Sequence, residues 1–218
     1  MSSSRNFNKQ RKKNKLRNPV VVLLFENPSN KTESMYFKAM RDDCSNVVIH
    51  PLKSKYSDPI NMLKELELKE EEYKGNIDKA YVVTGLDVDE KRANKIKALV
   101  NDKQRKMIVS NPCFEIWYLN HFTYTTRFFE SGEQLKKTLT KDKYIPGYTE
   151  SLEVYSLLKD KVDDAISNSK KQIEYGKDLY SWPSKDFNPR TDVYRIIETI
   201  KELEDDYEYQ LKMKSELE

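Results

Sequence analysis

The sequence predicts an α/β fold: a parallel sheet of about four strands flanked by helices, with a helical C-terminal extension. Three observations carry this reading. Pro19 to Phe25, PVVVLLF, is continuously apolar and β-branched, as a strand covered on both faces must be. Shorter strand-like runs at 46–52, 77–83 and 106–110 alternate with helix-patterned segments, which implies right-handed crossovers and parallel pairing. Beyond Pro112 the periodicity turns helical.

Taken in order, the 19–25 strand is expected at the centre of the sheet and ends on Glu26. Asn27-Pro28-Ser29-Asn30 then forms a turn, since proline holds the residue before it extended. A helix over 31–42 presents Met35, Tyr36, Ala39 and Met40 on one face, with Ser29 or Thr32 placed to cap it. A charged amphipathic helix over 59–73 presents Ile60, Leu63 and Leu66, and Gly75-Asn76 ends it. The third strand stops just ahead of Asp87 and Asp89, a helix is expected over 90–101, and the fourth strand stops at Asn111-Pro112. In CFEIWYLNHF, residues Phe114, Trp117, Tyr118 and His121 have the spacing of a helix packed against the sheet. A helix near 133–139 follows, then a long one over 150–172 with Leu152, Tyr155, Leu158, Val162 and Ala165 down one side. Prolines make 178–189 a loop, and Thr191 is expected to cap a last helix through Val193, Ile196, Ile197 and Ile200. The resulting division is a basic flexible arm over 1–17, an α/β core over 18–112, a helical extension over 113–205 packed on the core, and a charged tail over 206–218 expected to fray.

A chain of 218 residues suits one good core. No apolar run approaches the roughly 18 residues of a transmembrane helix, and the N-terminus lacks the apolar region of a secretory signal. A cytoplasmic protein without membrane contact is therefore expected. Cys44 and Cys113 show no metal-ligand spacing, so neither a disulfide framework nor a zinc site is expected. Charge is distributed unevenly: seven of the 39 basic residues, and none of the 36 acidic ones, fall in residues 1–17. Such an arm, which includes Arg11, Lys12 and Lys13, either touches nucleic-acid phosphates by counterion release or serves as a solubilising leader.

The chemistry concentrates at strand ends. Glu26 follows the first strand, and Asp87 and Asp89 follow the third. If those strands are neighbours, three carboxylates meet on the rim where α/β sheets bind ligands. Crowded carboxylates repel unless a cation joins them, and hard oxygen donors suit Mg²⁺ or Mn²⁺. An aspartate after a strand serves equally well as the N-cap of the next helix. Glu115 and Asn111 reach the same rim if strand four lies beside strand one, with fold support the expectation for Asn111.

These residues resemble a known family. FENPSNKTESMYF resembles the glutamate motif of Toprim domains, and GLDVDE resembles their Asp-x-Asp motif. The closer likeness is to the RloB-like proteins, a Toprim-related group found beside restriction and abortive-infection genes. It is carried by Glu26, Lys31-Thr32-Glu33, Tyr36-Phe37, Ser110 to Glu115, Trp117, His121-Phe122, Asn188-Pro189, Thr191 and Val193. Asn27 departs from the glycine usual after the glutamate, and Val88 stands where a basic residue is common. The resemblance spans about residues 18 to 203. It implies a Toprim-like sheet and a Mg²⁺- or Mn²⁺-dependent nuclease in antiphage defence, acting on RNA, tRNA included, or on DNA. Glu26, Asp87 and Asp89 would be its metal ligands and catalytic groups, with Glu115 beside them and Lys31 on a phosphate. The alternative it implies is a catalytically degraded partner of a defence ATPase, and either form leaves homo-oligomerisation open.

Overall fold

β1 (Val20–Phe25) consists of apolar side chains that alternate between two buried layers, and the rest of the chain packs around that alternation. The computed structural model describes residues 16–26, 31–99 and 101–216. Val21, Leu23 and Phe25 face α1 (Lys31–Asp43), while Val22 and Leu24 face α2 (Pro59–Glu72). Both faces of the strand are covered, as its unbroken apolar run requires.

The sheet has five strands, in the order β2-β1-β3-β4-β5. β2 (Val48–Lys53), β1, β3 (Lys79–Gly85) and β4 (Met107–Asn111) run parallel, and β5 (Arg190–Thr191) pairs antiparallel with β4. Three expectations need correction. β3, not β1, occupies the middle of the sheet, and strand four lies beside strand three rather than strand one. β5 is additional: two residues cannot display a period-two pattern, so only its pairing with Ser110 and Asn111 reveals it.

Alongside α2 lies α3 (Glu90–Lys97), which stops short of the expected 101 and is followed by α4 (Asn101–Arg105). The other layer joins α1 to the C-terminal elements. Tyr36 lies against Phe114, Trp117, Tyr118 and Tyr155, so α5 (Glu115–Asn120) closes over α1 through aromatic edges. α6 (Gly132–Leu139) falls where its pattern placed it. The long helix expected over 150–172 is broken into α7 (Tyr155–Leu158), a 3-10 turn (Lys159–Lys161) and α8 (Val162–Gly176). α7 packs on α1 and α8 on α5, two targets that the break serves separately.

Thr191 Oγ1 accepts from the Val193 N–H at 3.2 Å, the expected cap, while its hydroxyl also meets Ser110 Oγ at 2.7 Å. α9 (Tyr194–Glu216) runs on through the segment expected to fray. Tyr207 is buried there and donates to Asn18 Oδ1 at 2.9 Å, which ties the charged helix end to the start of β1. Among the described residues no helix is long and apolar enough to cross a membrane.

Candidate functional site

Parallel pairing puts the carboxyl ends of β1, β3 and β4 on one rim. Phe25 is in register with Val83, so Glu26 arrives beside Thr84, whose hydroxyl donates to Glu26 Oε1 at 2.9 Å. After Gly85 the chain turns tightly: the Asp89 N–H donates to Leu86 O at 2.9 Å and the Asp87 N–H to Pro112 O at 2.8 Å. That second bond fastens the turn to the end of β4. Asp87 and Val88 have φ of 53° and 57°, consecutive left-handed residues. For a β-branched valine this conformation is an outlier that costs about 1–2 kcal/mol.

The rim opens into a cleft of about 320 Å³ lined by Glu26, Glu33, Asp87, Glu115, Glu133 and Glu150, with Lys136 among them. Among the described residues, six carboxylates thus line the cleft with one ammonium group. Burial and then the charge of Glu115 push Glu33 up to about 8, and its Oε2 has no hydrogen-bond partner. Desolvation also raises Asp87; Lys136 opposes the rise, and Glu115 and Asp89 add to it. Glu115 is buried and held in place, accepting from the Tyr148 hydroxyl at 2.9 Å and from Thr32 Oγ1 at 3.4 Å. Burial works against the charge of Lys136, but its bond to Glu150 and the nearby Glu115 and Glu133 outweigh that and raise its pKa. Burial and Glu115 push the Cys113 thiol well up, which leaves it a protonated wall of the cleft rather than a nucleophile.

Of the residues singled out from sequence, Glu26, Asp87 and Glu115 come together in this cleft. Asp89 turns instead to cap α3, its Oδ1 accepting from the N–H groups of Lys91 at 2.7 Å and Arg92 at 3.3 Å. Asn111 supports the fold: its Nδ2 donates to the carbonyls of Ser184, Lys185 and Phe187. Lys31 is the first residue of α1, and Arg11, Lys12 and Lys13 lie outside the described residues.

Two cations were missed. Arg92 forms an ion pair with Glu26, both side chains being largely buried, and donates to Thr84 Oγ1 at 2.5 Å. A signal for it existed: a cation in the first turn of a helix opposes the helix dipole, so Arg92 called for a carboxylate partner. Lys136 had no local signal, because only the fold of the 123–147 segment carries it to the rim.

The family model of the RloB-like proteins matches residues 27–200. The chain belongs to the RloB-like family. No curated protein and no solved structure matches it. In this RloB-like chain the matched stretch holds Asp87, Glu115 and Lys136 and begins immediately after Glu26.

A divalent cation fits the donor set in kind: hard oxygens in excess, of which burial first and neighbouring carboxylates second raise Glu33 and Asp87. Among the described residues, no three His, Cys, Asp or Glu side chains stand close enough to form a ready-made cage. An ion held here would have to be a hydrated one facing Asp87 and Glu26, since magnesium keeps several of its waters.

Proposed function

We propose that this RloB-like chain is a Mg²⁺- or Mn²⁺-dependent nuclease of Toprim type that cleaves RNA or DNA in antiphage defence. One observation carries the reading: six carboxylates line one cleft at the carboxyl end of the sheet, where ligands of α/β folds bind. Asp87 and Glu26 would hold the ion, and Asp89 would join them only by leaving its cap. The bound cation would polarise the scissile phosphate and acidify a water.

The chain's own groups divide the remaining work. Lys136, the one ammonium lining the cleft among the described residues, would pair with a phosphate oxygen. Glu115, fixed by Tyr148 and Thr32, would orient the attacking water. Glu33 retains its proton near neutrality and would give it to the leaving oxygen. Nothing in this assignment selects RNA over DNA.

Incubating the purified protein with tRNA, single-stranded DNA and duplex DNA, with and without Mg²⁺ or Mn²⁺, tests the reading. Divalent-dependent cleavage of one substrate, lost in Asp87→Asn, supports it. A second reading, a catalytically silent partner of a defence ATPase, is favoured by the Arg92–Glu26 pair and the Asp89 cap, which engage two of the expected ligands. No cleavage in the panel and no Mg²⁺ or Mn²⁺ binding by calorimetry would decide for that partner.

A further inference from the structure

A second cavity, of about 470 Å³, runs along β4 between α3, α4 and the β5–α9 junction, and shares no lining residue with the acidic cleft. Its charge has the opposite sign. Arg105, Arg190 and Arg195 line it against one carboxylate, Asp192. Both oxygens of that carboxylate are occupied: Oδ1 accepts from Arg190 Nη2 at 3.2 Å and Oδ2 from Trp182 Nε1 at 2.7 Å. Arg195 donates to backbone carbonyls, those of Met107 at 3.3 Å and Arg105 at 2.6 Å. Among the described residues neither Arg105 nor Arg195 has a carboxylate partner. Arg190 is largely buried and its Nε has no hydrogen-bond partner.

Surplus positive charge is thus held beside aromatic surface. The Arg190 guanidinium stacks on Trp182 at 4.1 Å, and Tyr194 completes that wall. Arg190 already pairs with Asp192, but its Nε donor is unmet and Arg105 and Arg195 bring two further positive charges to the same cavity, so the site favours one more anion. Arginine forks match phosphate oxygens, and indole and phenol rings match the face of a base. The volume falls within the roughly 300–1,000 Å³ of small-ligand sites, well above what a lone phosphate fills.

We propose that this cavity binds a nucleotide unit, its phosphate on Arg105, Arg190 and Arg195 and its base against Trp182 and Tyr194. The unit would be a free nucleotide or the phosphorylated end of a strand, and the site stands whether or not the acidic cleft cleaves nucleic acid.

The test is titration of the full chain with AMP, adenosine, inorganic phosphate and a 5′-phosphorylated oligonucleotide, followed by calorimetry and tryptophan fluorescence. The other tryptophan, Trp117, is fully buried in the core, so quenching reports Trp182. AMP or the oligonucleotide should saturate, with adenosine and phosphate each at least about tenfold weaker. Tighter binding of AMP assigns a free nucleotide; tighter binding of the oligonucleotide assigns a strand end. Arg105→Glu reverses an exposed charge whose side chain has no partner among the described residues, so the fold should survive while affinity drops about tenfold or more. Asp87→Asn, in the acidic cleft, should leave the affinity for AMP in EDTA unchanged. Absence of saturation by both phosphorylated ligands, wild-type affinity in Arg105→Glu, or loss of AMP binding in Asp87→Asn would each overturn the proposal.

Discussion

Arg92 reaches back from the first turn of α3 to pair with Glu26 at the end of β1, and Thr84 of β3 bonds to both. The glutamate expected to face a cation is therefore held by the chain's own guanidinium. Removing one partner of a largely buried pair strands the other, at a cost of about 3 kcal/mol. Arg92→Ala should lower the melting temperature in EDTA, and Mg²⁺ should recover part of the loss by neutralising Glu26 in place of the guanidinium. A variant as stable as the parent would remove Arg92 as the keeper of Glu26. One that is destabilised but indifferent to Mg²⁺ would leave Glu26 without a role in ion binding.

Val88 is the second test of the same turn. Its left-handed backbone, at φ 57°, costs a valine about 1–2 kcal/mol that a glycine does not incur. Glycine also gives the unfolded chain more freedom, which takes back part of the gain. Val88→Gly should therefore stabilise by about 1 kcal/mol, or roughly 2–4 °C in melting temperature for a chain of this size. Unchanged or lower stability by thermal melting would mean that the packing of Val88 outweighs its strain.

The fold was legible where periodicity is long and local. The PVVVLLF strand, the helix from Lys31 and the β–α alternation all follow from side-chain pattern, and each appears within a few residues of its expected place. Strand order was not legible, because a run as apolar as Val20–Phe25 suits any interior position and pairing partners are tertiary facts. At the site, Glu26 and Asp87 could be placed on one rim because strand ends are readable, whereas Glu115 opens α5 and was expected there through a strand order that the sheet does not have. The cap role of Asp89 was legible only as one of two alternatives, since capping and coordination ask the same residue of the same position. Glu150 and Lys136 enter the cleft from far along the chain, and nothing local marks them.

Glu33 should make stability pH-dependent. Its folded value of about 8 lies above the ordinary 4.5, so the folded state keeps a proton that the unfolded state has released between those values. Stability therefore falls as pH rises through that window. Glu33→Gln removes the penalty, so its melting temperature should match the parent near roughly pH 5, exceed it increasingly towards roughly pH 8, and hold a constant margin above that. If Glu33 is also the proton donor, the same variant should cleave about a hundredfold more slowly. Parallel melting curves across the pH range would show that Glu33 ionises without cost.

Asp87 and Asp89 are separated by one residue and by their work, and paired substitutions distinguish them. Asp89 accepts two backbone N–H bonds at the start of α3, so Asp89→Ala should lose about 1 kcal/mol, whereas Asp89→Asn, an equally good cap, should lose nothing. Asp87 caps no helix, and its raised pKa means that the fold disfavours its ionised form. Asp87→Asn should therefore melt at the parent temperature or above it near neutrality, while losing the negative charge that a cation requires. Cleavage should vanish in Asp87→Asn. For Asp89→Asn the outcome discriminates: full activity keeps Asp89 a cap throughout the cycle, and lost activity at unchanged stability means that it leaves α3 to join the ion. If both asparagine variants cleave like the parent, the aspartate pair holds no catalytic metal, and the assignment of the ion to this rim falls with it.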